Sequence, residues 1–274
     1  MNKEVISSRQ NPLVKFVCGL ADKKNRRESG LFRFDGIKLL GEALSSDIEI
    51  KYVVCQSPMN DALRRVVDKA ISEGRIAPDV VVEVSDSVFG KMSEERAPEG
   101  VITVAHSLSL LHKAENGIPS KEEKILIAES LRDPGNLGTV MRSCYALGID
   151  RLIITDDCAD IYNPKTIRAA MGAVFKMRTQ SVEVKMLPSF IGELVGDGRR
   201  VYATALAENS RSIGEIRLLQ GDCFVIGNEG HGLSDSVIHA CSDCVIIPMR
   251  EDAESLNAAA AASICIWETV RGSI

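Results

Sequence analysis

The sequence predicts an α/β protein with a mostly parallel sheet in its second half and a smaller α/β unit before it. Three observations carry this. After residue 120, short apolar runs recur with helical patterns between most of them, and near-continuous apolar strands separated by helices belong to a parallel sheet covered on both faces. Before residue 108, helical patterns also alternate with short apolar runs. Between the two, Leu108 to Lys124 is polar and irregular, with Gly117 and Pro119 close together among charges, which marks a boundary. The 274 residues are long for one domain and comfortable for two. The expected division is a domain over 1–107, a linker over 108–122 and a second domain over 123–274.

In the first part, apolar residues at helical spacing predict helices over Ile37 to Ser45 and Asp61 to Glu73, and β-branched runs predict strands at Lys51–Cys55 and Val80–Val84. In the second part, strands are expected at Ile125–Ala128, Leu152–Thr155, Val182–Lys185, Val201–Ala205, Phe224–Ile226 and Cys244–Ile247.

Composition excludes several classes. No apolar run approaches the roughly 18 residues of a membrane span, and the first residues carry no apolar signal stretch, so a cytoplasmic protein is expected. The eight cysteines lie mostly inside apolar runs and read as reduced core residues. Cys241-Ser242-Asp243-Cys244 has metal or redox spacing, but no second pair accompanies it and His231 and His239 complete no zinc pattern. The net charge of −5 is uneven: residues 1–45 carry nine Lys/Arg against five Asp/Glu, whereas the rest is acidic. The basic run Lys23-Lys24-Asn25-Arg26-Arg27 fits phosphate contact, and equally a solvated helix face.

Ligands of parallel sheets gather where loops leave the carboxyl ends of strands, and three such loops are unusual. The first is Glu129-Ser130-Leu131-Arg132-Asp133-Pro134-Gly135-Asn136-Leu137-Gly138 running on to Arg142; Pro134-Gly135 makes a turn and Asn136 is placed to cap the helix. The second, Gly227-Asn228-Glu229-Gly230-His231-Gly232, holds a carboxylate between glycines. It lacks the Lys-Ser/Thr ending of a phosphate loop. In the third, an apolar strand stops at Pro248, and Ser255-Leu256-Asn257 opens a helix of alanines, which serves either a ligand or a plain capped turn. Together the loops can orient and deprotonate a hydroxyl but contain no evident nucleophile, so an electrophile has to arrive with a cofactor.

In order and spacing, Asn136-x-Gly138-x-x-x-Arg142, Gly227-Asn228-Glu229-Gly230-x-Gly232 and Ile247-Pro248-Met249 through Glu254-Ser255-Leu256-Asn257 resemble the three motifs of the SpoU (TrmH-like) RNA 2′-O-ribose methyltransferases of the SPOUT class. Tyr162-Asn163-Pro164-Lys165 through Arg168-Ala169-Ala170-Met171-Gly172-Ala173 is similar to a fourth block of that family. Ser8-Arg9-Gln10-Asn11-Pro12 and Gly30-Leu31-Phe32-Arg33 through Leu40 are similar to the RNA substrate-binding domain that many members carry, a small fold like that of some ribosomal proteins.

The resemblance implies a trefoil-knotted C-terminal domain, S-adenosylmethionine as cofactor and a homodimer formed through that domain, with an active site drawing on both subunits. It implies a catalytic set of Asn136, Arg142, Glu229, Ser255 and Asn257. It implies cofactor binding at Leu206, Gly227, Asn228, Gly232, Ile247, Met249, Leu256 and Ala258. RNA contact is implied at Arg9, Lys23, Lys24, Arg26, Arg27, Arg132, Lys165 and Arg168. No metal is required, because the cofactor already contains its leaving group. The family assigns the base to the arginine matching Arg142, yet a guanidinium resists deprotonation, and fixing a phosphate or stabilising the developing alkoxide also suits it. Glu251 stands where many members have Gly, Ala258-Ala259 where Val-Ser is common, and Ala170 where Ser is common.

The expected activity is methyl transfer to structured RNA, ribosomal RNA ahead of transfer RNA. A non-catalytic RNA-binding protein on the same scaffold would be expected to lose Asn136, Arg142 or Asn257, and none is lost. A doubly wound nucleotide-binding enzyme would place a Gly-rich phosphate loop after the first strand, where Asp133-Pro134-Gly135-Asn136 stands instead.

Overall fold

A computed structural model describes residues 4–95, 97–107, 117–207, 209–250, 252 and 255–271. Most of the expected linker over 108–122, and Glu251, lie outside the described residues. The chain divides into two compact units, Met1–Leu108 with Tyr162–Phe175, and Ser109–Ile161 with Lys176–Ile274.

The first unit contains α1 (Pro12–Gly19), α2 (Lys23–Ser29), β1 (Leu31–Asp35), α3 (Ile37–Leu44), β2 (Ile50–Ser57), α4 (Asp61–Ser72), β3 (Val81–Ser85), α5 (Asp86–Met92) and β4 (Val101–His106). Its mixed sheet runs β1-β4-β2-β3, with β4 antiparallel to β1 and β2, and β2 parallel to β3. Asn11, Asp22 and Asn60 cap α1, α2 and α4 by accepting from backbone N–H groups of the first turn. Apolar side chains fill both faces of the sheet, Val14, Val17 and Phe89 on one and Leu40, Leu63 and Val67 on the other.

The second unit is built from β5 (Ile125–Ala128), α6 (Pro134–Ala146) and β6 (Arg151–Thr155); after α7 (Pro164–Ala170), which packs with the first unit, come β7 (Thr179–Val182), α8 (Leu187–Gly196), β8 (Val201–Thr204), β9 (Arg211–Ser212), β10 (Cys223–Ile226), α9 (Asp235–Ala240), β11 (Asp243–Ile246) and α10 (Ala258–Val270). Tyr162 stacks on Phe32 with ring centroids 4.4 Å apart, and Phe175 lies 4.9 Å from Phe34. This aromatic cluster gives 162–175 its place beside β1.

The sheet of the second unit has the order β7-β6-β5-β10-β8-β11-β9, and every pairing is parallel. Ile125, Ile127, Ile153, Val201, Ala203 and Val225 pack against Leu187, Ile191 and Leu194 of α8. On α10, Ala259, Ala262, Cys265 and Ile266 are buried, and the Ser263 hydroxyl lies 3.0 Å from that of Ser143 on α6. From β5 the chain winds outward through β6 and β7, whereas beyond β10 it winds through β11 on the other side. The adjacent strands β5 and β10 therefore flank a switch in winding direction, the place where ligands of open parallel sheets gather.

One expected strand is displaced, and β1, β4 and β9 are additions to the expected set. The apolar alternation Val182-Glu183-Val184-Lys185 predicts a strand, but β7 is Thr179–Val182 and Val184–Met186 is a short helical turn. Pairing with Leu152–Thr155 occupies the earlier residues, and Asp156 then accepts from the Val184 N–H at 2.9 Å, turning the chain off the sheet.

Candidate active site

The site begins at the end of β5. Asp133 is the N-cap of α6 and accepts from the Asn136 N–H at 2.8 Å, with Pro134 inside the first turn. This corrects the expected capping role of Asn136: with Asp133 in that place, the Asn136 amide is free to reach across the sheet edge. Its Nδ2 donates to Glu229 Oε1 at 3.0 Å, and its Oδ1 accepts from Asn257 Nδ2 at 2.9 Å. A carboxylate only accepts, so the orientation of both amides follows from Glu229.

Glu229 also accepts from the backbone N–H of Arg132 at 3.2 Å and of Asp133 at 3.1 Å. Burial pushes its pKa up, but the bonds from Asn136 and from the backbone of Glu229, Asp133 and Arg132 outweigh this and hold the carboxyl below its ordinary value of 4.5. It is ionised at neutral pH. Asn257 closes the chain from the third loop: its Oδ1 caps α10 by accepting from Ala259 and Ala260 while its Nδ2 serves Asn136. Capping and site contact are thus made by one side chain.

The glycine loop is a tight hairpin in which Asn228 and Gly232 exchange backbone bonds of 2.9 Å in both directions. The Asn228 side chain accepts from Gly230 and His231 and donates to the Ser130 carbonyl. Buried Glu129 holds the far end, accepting from the Ser234 N–H at 2.9 Å and hydroxyl at 2.6 Å. A Cβ at Gly227 would stand 2.3 Å from the Gly232 carbonyl carbon and 2.5 Å from the Leu233 nitrogen. Gly227→Ala is therefore expected to displace backbone, destabilising by about 3 kcal/mol and lowering Tm by roughly 6–12 °C; a thermal melt checks this.

Sequence reasoning missed the support beneath the first loop. Ser130 has φ +54°, a left-handed conformation that costs a non-glycine residue about 1–2 kcal/mol. Its N–H donates to Thr155 Oγ1 at 2.8 Å, and its hydroxyl donates to Asp157 at 2.7 Å. Asp157 also accepts from the Thr155 hydroxyl at 2.6 Å and from the Arg132 guanidinium at 3.3 Å. Burial raises its pKa, but the bonds from Thr155, Ser130 and Arg132 carry it below the ordinary value. No sequence pattern announces a left-handed serine, and its partner Asp157 lies 27 positions along the chain.

The remaining expected residues are placed unevenly. Arg142 is exposed on α6. Six positions after Asn136, it is turned about 240° around the helix, and no hydrogen bond or ion pair is found for it among the described residues. Ser255 is exposed just before α10. Leu206, Met249 and Leu256 are 89%, 47% and 38% exposed, the first two just beyond the neighbouring strands β8 and β11 and the third just before α10. Ile247 and Ala258 are half-buried.

Among the expected RNA contacts, Lys23, Lys24, Arg27, Lys165 and Arg168 are exposed. Arg9 is also exposed and donates to the Ser87 carbonyl. Arg132 pairs with Asp157. Arg26 is a correction: it is 4% exposed and its guanidinium donates to the Leu20 and Ala21 carbonyls, so it closes the turn before α2 rather than facing a phosphate. Cys241 and Cys244 are free thiols, and burial pushes the former up to about 12. Among the described residues, no group of three or more His, Cys, Asp or Glu is arranged to hold a metal.

A parallel sheet with a winding switch, and three loops joined there by a carboxylate and two amides, define an α/β protein with a candidate site at the sheet's carboxyl edge. The SpoU rRNA methylase family profile matches residues 123–267, and the MRM3-like substrate-binding domain matches residues 11–103. The 23S rRNA (guanosine(2553)-2′-O)-methyltransferase RlmP of Bacillus subtilis (strain 168) is 30% identical over 267 residues, spanning 96% of this chain and 97% of its own. Among solved structures, an RNA 2′-O ribose methyltransferase superposes with a TM-score of 0.80 at 29% identity, covering 98% of each chain. An AdoMet-bound rRNA methyltransferase from Sinorhizobium meliloti superposes at 0.84 with 27% identity, covering 99% of this chain and 98% of that one. The chain belongs to the SpoU rRNA methylase family.

Proposed function

We propose that this protein transfers the methyl group of S-adenosylmethionine to a ribose 2′-hydroxyl of ribosomal RNA. The observation that carries this reading is the chain Glu229–Asn136–Asn257, which joins three loops at the β5/β10 switch of a SpoU-family domain. RlmP supports ribosomal RNA as the substrate class by its activity and by nearly full-length similarity. The division of labour gives residues 1–107 to RNA capture and 123–274 to transfer, in keeping with the two family matches.

The residues present fit the cofactor. Leu206, Met249 and Leu256 are exposed apolar side chains beside the ends of β8 and β11 and the start of α10, a combination suited to a nucleoside and a thioether. The loop backbones at Gly227, Asn228, Gly232, Ile247 and Ala258 would complete the cradle. When bound, S-adenosylmethionine supplies an electrophilic methyl with its leaving group attached.

The chain's own residues orient the acceptor. Ionised Glu229 locks the Asn136 amide, and Asn136 and Asn257 hold the ribose in line, the alignment that accounts for much of such a reaction's acceleration. Ser255 adds a hydroxyl beside them. Arg142 stabilises negative charge on the 2′-oxygen as its proton passes to water. We assign Arg142 to the site of a homodimer in which a second copy completes the constellation; its exposed position on α6 and its lack of partners among the described residues support this. A trefoil knot and a cytoplasmic location complete the reading. No helix among the described residues is long and apolar enough to cross a membrane.

Calorimetric titration of the purified protein with S-adenosylmethionine is expected to give saturable binding that EDTA leaves unchanged. Absence of binding would remove the enzyme reading. Mapping 2′-O-methyl sites in RNA from cells with and without the protein is expected to show one lost site in ribosomal RNA; a loss confined to transfer RNA would redirect the substrate.

A further inference from the structure

The loop after β6 is not among the motifs that define the site, yet the first loop is built on it. Thr155 and Asp157 receive the Ser130 N–H and hydroxyl, and Asp157 also takes the Arg132 guanidinium. Cys158 Sγ lies 3.2 Å from the Leu131 N–H, and the Ala159 N–H donates to the Leu131 carbonyl at 2.9 Å. Residues 130–132 are therefore fastened to residues 155–159 at each position. A left-handed serine persists only where its surroundings over-determine it, and here they do. The consequence lies one residue further along: the N–H groups of Arg132 and Asp133 emerge from this turn and converge on the Glu229 carboxylate.

We propose that Asp157 is a positioning residue for methyl transfer, holding Ser130 in its left-handed conformation and Arg132 in place so that the Arg132 and Asp133 N–H groups fix Glu229. Asp157 touches neither the amides nor Glu229 and acts through the backbone between them. This rests on the reading that Glu229 and Asn136 work in the site. Among the described residues, Arg132 faces Asp157, Asp156 is directed to the Val184 N–H and lies near Lys185, and beside Glu229 the Asp133 carboxylate accepts from the Asn136 N–H.

The Arg132 pairing adds a further role. Arg132 is largely exposed, and an RNA phosphate is a competing partner for its guanidinium. Engagement of RNA at Arg132 therefore acts on the same turn that holds Glu229.

The test is Asp157→Asn in the full-length protein, assayed by single-turnover methyl transfer across roughly pH 4–7, beside calorimetry with S-adenosylmethionine. The carboxamide keeps the shape but presents one acceptor oxygen instead of two. The transfer rate is expected to fall about tenfold to a hundredfold, the scale of a small misplacement, with cofactor affinity unchanged. The acid limb is expected to move to higher pH, because Glu229 loses donors that stabilise its charged form. Ser130→Ala removes the Asp157 link while keeping Asp157, and is expected to shift the limb in the same direction; it carries the test if Asp157→Asn does not fold. A wild-type rate, or a slower rate with an unmoved acid limb, overturns the proposal. Glu229→Gln at full speed would instead overturn the site reading beneath it.

Discussion

Replacing Arg142 by Ala is expected to abolish methyl transfer while leaving the fold and cofactor binding intact. Arg142 is exposed on α6 and without a hydrogen bond or ion pair among the described residues, and surface substitutions of this kind usually change stability by about 0.5 kcal/mol or less. The catalytic loss is expected to be roughly 10²–10³-fold or more, the scale seen when a preorganised group facing developing charge is removed. Thermal melts, a cofactor titration and single-turnover rates separate these effects. Arg142→Lys is expected to recover little, since a point charge on a flexible stem does not reproduce a planar five-donor fork. Wild-type turnover in the alanine variant would take Arg142 out of the active set.

Glu229→Gln is expected to have the second largest effect. The carboxylate accepts at Oε2 from Arg132 and at Oε1 from both Asp133 and Asn136. A glutamine can answer on one oxygen only, and its NH₂ group turns a donor toward a donor. The transfer rate is expected to fall about a hundredfold through misplacement of Asn136 and Asn257. Stability should change by only about 1 kcal/mol, because the group is solvent-exposed and screened. The pH dependence has a definite sign. The folded pKa of Glu229 is depressed, so its contribution is present above the unfolded value and is lost as pH falls through the lowered one. Asn136→Ala removes a donor and raises that pKa, so its acid limb should lie at higher pH than that of the wild-type protein. A pH–rate profile of the two proteins side by side checks this.

Much of the fold was legible in the residues because the signals are local. Apolar runs at β5, β6, β8, β10 and β11 sit within a residue or two of expectation, since strands buried on both faces need apolar side chains throughout. β7 was misplaced because alternation identifies a half-exposed segment without saying whether a neighbour pairs with it. The cap of α6 was assigned to the wrong residue for a similar reason: Asn136 suits a helix start by residue type, but in the fold the N-cap is Asp133, three positions earlier. Arg26 shows the limit for charge runs. A cluster of cations is visible in the chain, but which of them turns inward depends on the Leu20 and Ala21 carbonyls that the fold brings within reach.

The sequence by itself determined the α/β class, the strands β5, β6, β8, β10 and β11 of the second unit, the three unusual loops and the residue types they carry. These depend on periodicity and on the chemistry of single residues. Only the tertiary structure decided that β10 lies beside β5, that Glu229 draws Asn136 and Asn257 into one hydrogen-bonded chain, and that Asp157 supports a left-handed Ser130 beneath it. The physical reason is range. Each of these bonds joins residues 27 to 121 positions apart, and such contacts exist only after the parallel sheet has brought the carboxyl ends of its strands to one edge.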